Sequence, residues 1–185
     1  MQTKRKVRLV YNAPVILTYT LLAVLVLSAD YVLDGRLIPL FFTAGRWPMS
    51  PLGIILHVLG HANWQHLFSN FIFILLVGPL LEEKYGSKKI LFMILATAFF
   101  TGVLNLLLFS TALVGASGIV FMMLILSSFA NARSGEIPIT FIFASVFYIG
   151  GEIATAFAND GISQFGHVIG GLAGGIFGLW FSPRK

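Results

Sequence analysis

Runs of apolar residues about one bilayer long, broken by short polar turns, set the pattern of this chain. They predict helical spans at Pro14–Val32, Gln65–Leu81, Ile90–Phe109, Ser117–Asn131, Ile137–Phe157 and His167–Phe181. None alternates with the period of two that barrel strands need, which leaves helices as the spanning element. The breaks are Glu82-Glu83-Lys84-Tyr85-Gly86-Ser87-Lys88-Lys89, Asn131-Ala132-Arg133-Ser134-Gly135-Glu136 and Asn159-Asp160-Gly161, each read as a turn. A long connection from Leu33 to Trp64 follows the first span. It holds Pro39, Pro48 and Pro51 yet is apolar over Leu37–Phe42 and Leu52–Leu56, so it is expected to lie in the outer interface. The pattern is that of an all-α membrane protein, a six-transmembrane-helix bundle with a short fourth helix starting inside the membrane. It shows no internal repeat of the transporter kind.

Composition agrees with the pattern. The 185 residues are 57% hydrophobic and 10% charged, with a mean hydropathy of +0.91. A soluble domain is about 45–50% apolar and about 25% charged. The length fits one domain, 1–185, with a basic N-terminal segment at 1–13 and an outer loop at 33–64. Lys4-Arg5-Lys6-Val7-Arg8 precedes the first apolar run as in a signal peptide. The run is long, however, and Leu27-Ser28-Ala29 is a poor cleavage site, so the span is expected to be retained.

Charge then sets direction. The net charge of +5 does not point to nucleic acid, because the basic residues cluster at span ends. Of the 12 Lys and Arg, only Arg36 and Arg46 fall opposite Lys4, Arg5, Lys6, Arg8, Lys84, Lys88, Lys89, Arg133, Arg184 and Lys185. Both termini are therefore expected in the cytoplasm, with a prokaryotic plasma membrane as the location. There is no cysteine, which excludes disulfide and thiolate chemistry.

A polar residue at membrane depth is costly and is a functional candidate by default. Ser117, in Gly115-Ala116-Ser117-Gly118, and His167, in Gly166-His167-Val168-Ile169-Gly170, each interrupt an apolar stretch. Serine with histidine is a nucleophile with its base. Counting ~1.5 Å per residue from Asn131 puts Ser117 about 21 Å up, roughly 9 Å below the outer face of a ~30 Å hydrocarbon core. His167 is about 21 Å above Phe181, and Asn70 and His66 are about 17 and 23 Å above Leu81. Nothing in the apolar pattern requires this coincidence of depth.

The neighbouring residues suit acyl transfer. Gly115 and Gly118 permit a tight turn and close approach. If Ser117 opens a helix, the free N–H groups there favour an oxyanion. Gly170, Gly174 and Gly178, at i, i+4 and i+8, let spans four and six approach closely. Phe121, one turn below Ser117, is placed to pack on the imidazole. His66 and Asn70, at i and i+4, share a face and offer donors to the oxyanion.

Plainer roles compete with each of these. An isolated Gly-Ala-Ser-Gly more often packs helices, its hydroxyl bonded to the i−4 carbonyl. A lone intramembrane histidine is more often a satisfied polar group than a base. The joint pattern on three spans favours chemistry. His57, His61 and His66 raise a metal site, since His57 and His61 are at i, i+4. Val58 stands where a metalloprotease has glutamate and no carboxylate is near, so no metal and no cofactor is expected. Glu152 is either an ion ligand, as in a transporter, or a partner for an outer-loop group, the preferred role. Asn105 is read as interhelical glue.

Together the residues resemble the rhomboid family of intramembrane serine proteases. The matching pieces are His61-x4-His66-x3-Asn70, Gly115-Ala116-Ser117-Gly118, His167-x2-Gly170-x3-Gly174, and Glu82 with Gly86 after span two. The resemblance covers roughly Leu52 to Phe181 and implies a rhomboid-type six-helix bundle. It makes Ser117 the nucleophile and His167 its general base, a dyad without an acid. His66, Asn70 and the Ser117 N–H become the oxyanion site, and Phe121 takes the place of an aromatic against the histidine. It also implies transmembrane protein substrates, cleaved near the outer face where their helices are unstable.

One departure stands out. Many rhomboids carry Trp-Arg where this chain has Leu52-Gly53, nine residues before His61. The nearest pair is the reversed Arg46-Trp47, so the first outer loop is expected to be built differently. The alternatives are a non-proteolytic relative that binds transmembrane helices, which would not need both Ser117 and His167, and a small transporter using Glu152 and the histidines.

Overall fold

The computed structural model describes residues 9–45, 50–110, 112–130, 136–144, 146–147, 162–181 and 183. Among these the chain is helical: α1 (Pro14–Val32), α2 (Leu37–Phe41), α3 (Gly53–Leu56), α4 (Trp64–Tyr85), α5 (Ser87–Leu108), α6 (Ser117–Ser127), α7 (Ile139–Ala144) and α8 (Ile162–Trp180). α1, α4 and α5 are long and apolar enough to cross a membrane, and α6 is a shorter apolar helix.

Polarity is inverted relative to a soluble protein. Asn70, Glu82, Thr97, Thr101 and Asn105 are buried, while Leu25, Leu76, Phe92 and Phe100 face outward. Lipid cannot satisfy polar groups, so they turn inward to find partners. The chain is an integral membrane protein.

α1 coincides with its predicted span; the next break does not. The charged stretch from Glu82 was expected to be a turn, yet α4 continues to Tyr85 and only Gly86, at φ +86°, separates it from α5. The cause is a helix-end contact. Pro14 has no N–H, and the Leu17 N–H reaches the Ala13 carbonyl. The remaining donors, Val15 and Ile16, each bond one oxygen of the buried Glu82 carboxylate at 3.0 Å. A carboxylate at a helix N-terminus also meets a favourable dipole. Glu82 is thus an interhelical anchor rather than a solvated turn residue.

Two further boundaries move. α8 begins at Ile162, so His167 lies in its second turn rather than opening it. Phe165, packed on Phe109 at 4.8 Å between ring centroids, holds that added turn. α6 ends at Ser127 and turns continue to Ala130. The breaks at 131–135 and 159–161, most of the fifth span with Glu152, the pair Arg46-Trp47, the basic residues before Leu9, and Arg184 and Lys185 lie outside the described residues.

The connection after α1 folds against the bundle through close backbone approaches. A Cβ on Gly102 of α5 would fall on the Ile54 carbonyl, and one on Gly53 would fall on the Thr43 carbonyl. The position where many rhomboids carry arginine therefore has no room for a side chain. Asn105 donates to the Ala44 carbonyl (3.0 Å), and Ala44 pairs with Leu113 in an isolated antiparallel bridge. The first connection and the segment before α6 are thereby fastened together.

Candidate active site

The turn before Ser117 is held from both sides. Leu113 exchanges two backbone bonds with Ala44 (2.9 and 2.8 Å), and the Gly115 N–H donates to the His57 carbonyl (2.9 Å). Gly115 has φ +117°, and a Cβ there would sit 2.6 Å from His66 Cε1 and 2.8 Å from its Nε2. Only glycine permits both that backbone conformation and that approach. Ala116 caps α6 and Ser117 is its first residue. The N–H groups of the first turn have no carbonyl four residues earlier in the helix, and the dipole there favours negative charge.

α6 and α8 cross where glycines remove the side chains. A Cβ on Gly118 would lie 3.2 Å from the Gly166 carbonyl oxygen. Cβ atoms on Gly170, Gly174 and Gly178 would fall on the Gly118 carbonyl, the Met122 carbonyl and the Phe129 ring respectively. Ser117 precedes Gly118 and His167 follows Gly166, so both are next to glycines of this crossing. Phe121 lies flat on His167, with ring centroids 4.4 Å apart and planes 8° from parallel.

α4 brings the third group. Asn63 caps it, its side chain accepting from the His66 N–H at 2.8 Å. His66 lies within electrostatic reach of His167, and its ring meets His61 edge-on at 5.0 Å. Asn70 is buried one turn along, and its amide nitrogen donates to the His66 carbonyl at 3.1 Å.

Sequence reasoning missed His57. It was weighed only as a metal ligand, but its ring contacts the Gly53 and Ile54 carbonyls (3.2 and 3.1 Å) and the Thr101 hydroxyl (3.2 Å). Its own carbonyl holds Gly115. The i, i+4 pair Thr97 and Thr101, polar and apart from any turn, was the available signal for a buried partner. Burial holds His57 down to about 4 despite the opposing carbonyls. Burial and then the neighbouring His66 hold His61 down to about 4. Both imidazoles are neutral near pH 7. Among the described residues, no three His, Asp or Glu converge as a metal site requires.

Long apolar helices with their polar side chains turned inward define a membrane-embedded class of protein. The family model described as Rhomboid domain matches residues 49–184. The chain belongs to the rhomboid family. Members of that family are usually intramembrane serine proteases, and non-proteolytic members exist. No curated protein matches the chain.

Proposed function

We propose that this protein is an intramembrane serine endopeptidase that cleaves transmembrane proteins near the outer membrane face. One observation carries the proposal: α6 and α8 pack glycine to glycine at Gly118 and Gly166, with Phe121 stacked on His167 and the His66 ring of α4 against Gly115. A packing serine or a satisfied histidine would need neither the stacked aromatic nor the pinned Gly115 turn.

The fold is a single domain of six spans, in which the 11-residue helix α6 is the short fourth span and starts below the outer face. Both termini lie in the cytoplasm of a prokaryotic cell. A substrate helix enters from the side and unwinds at its outer end. The Ser117 hydroxyl attacks the scissile carbonyl as His167 takes its proton. Charge on the carbonyl oxygen meets the Ser117 N–H with His66 and Asn70. The C–N bond breaks as His167 returns the proton to the leaving amine. Water, activated again by His167, then hydrolyses the acyl-enzyme. No cofactor takes part. A serine–histidine dyad is expected to turn over slowly.

Reconstituted protein with fluorescent transmembrane substrates tests this directly. Ser117→Ala and His167→Ala should each abolish cleavage, and a serine-directed phosphonate should label Ser117. Cleavage that survives Ser117→Ala would sink the dyad. Absence of both cleavage and labelling would instead identify a non-proteolytic helix binder.

A further inference from the structure

We infer that a cavity under the first connection binds one acyl chain of an anionic phospholipid. It has a volume of about 390 Å³ and lies between α1 and α5, lined by Val15, Leu22, Ile55, Leu59, Leu91 and Leu95 among others. Leu22, Leu91 and Leu95 are exposed on the lipid side.

Position identifies the leaflet. Glu82, near the end of α4, bonds the start of α1, and Gly86 alone separates α4 from α5. The starts of α1 and α5 are therefore together on one side. From Pro14 to Leu22 the helix rises about 12 Å, at ~1.5 Å per residue. That is most of one leaflet of a ~30 Å core. The α3 segment and Leu59 close the cavity at the far end.

The walls then select the occupant. Two hydroxyls are among the lining, and both are engaged: Thr18 with Tyr11 (3.0 Å) and Tyr19 with the Val58 carbonyl (2.8 Å). The other lining side chains are apolar, whereas water needs two to four polar partners. A flexible hydrocarbon chain fits, and its burial is favourable in proportion to the apolar area covered.

The mouth selects the headgroup. Lys88, Leu91 and Leu95 are at i, i+3 and i+7, so the exposed Lys88 stands over the cavity on the same stripe of α5. Tyr11, held at Thr18, supplies the aromatic lip usual at a membrane interface. Lys89 is not part of the mouth, since its ammonium lies over the Phe181 ring at 5.4 Å.

Photocrosslinking in nanodiscs tests the site without any proteolytic readout, so its outcome is separate from the protease proposal. The probe is a phospholipid with a diazirine midway along one chain, in phosphatidylglycerol or phosphatidylcholine discs. Label should concentrate several-fold on Leu22, Leu59, Leu91 and Leu95 over the more exposed Leu76 and Phe100. Leu95→Trp, or Leu22→Trp if that variant fails to fold, should remove the excess. Lys88→Gln should remove the preference for phosphatidylglycerol. Thermal stability should rise with phosphatidylglycerol content in the parent and not in the filled variant, as expected for a ligand of the native state. Label spread in proportion to exposure, or unchanged in the filled variant, would overturn the site. Equal label in both lipids would overturn the anionic headgroup.

Discussion

His57 joins three parts of the molecule through one residue: its ring ties α3 to Thr101 of α5, and its carbonyl holds the Gly115 turn. That arrangement has a pH signature. Burial lowers its pKa from 6.5 to about 4 in the folded protein, while an unfolded chain titrates it near ~6.5. Between those values the unfolded chain binds more protons, so stability is intact above pH 6.5 and is lost as pH falls toward 4. His61 is shifted the same way and adds to the loss. Thermal scans in mild detergent should show Tm falling over that window, with a shallower fall for His57→Gln. A flat Tm would contradict neutral burial of both rings. Ser117, His167, His66 and Asn70 stood out as candidates because each breaks an apolar run. His57 was not, since a histidine in a loop looks the same whether it faces water or Thr101.

Two contacts between helices decide how the elements meet. Glu82 accepts both unpaired amides of α1, and hydrogen bonds to a charged group contribute about 1.5–3 kcal/mol. Glu82→Ala, which removes two such bonds, should lower stability by at least that amount. Glu82→Gln should cost less, because one acceptor remains while its NH2 opposes the second amide. Equal stability of all three in urea or thermal unfolding would show that the cap contributes nothing. The α6–α8 crossing depends on Gly170, where a Cβ would meet the Gly118 carbonyl. Gly170→Val should push the helices apart and cost about 1–3 kcal/mol. A displacement of about 1 Å between nucleophile and base is enough for a ~100-fold loss of rate, so activity should fall further than stability. The glycine spacing was readable as a close-packing stripe. The course of α4 through the Glu82 stretch was not, because charge near a span end normally means water.

At the scale of the whole molecule, the distribution of lysine and arginine carries the proposed topology, and the absence of cysteine makes it testable. Single substitutions Arg36→Cys and Lys88→Cys give clean reporters. A membrane-impermeant maleimide applied to intact spheroplasts should label position 36 and leave 88 unlabelled until lysis. The reverse would invert the proposed topology and place the Ser117 end of α6 on the cytoplasmic side.

Local pattern was sufficient for the membrane class, the first span and the glycine stripe. All of these follow from one rule, that hydrocarbon admits apolar surface and penalises unpaired polar groups. That rule acts on each residue and can be read one position at a time. The partners of those polar groups are a different matter. Glu82 with α1, His57 with Thr101 and Gly115, and Asn105 with Ala44 are separated by 44 to 67 positions along the chain. Such pairs arise when packed helices bring donors and acceptors together, and spacing along one helix carries no trace of them.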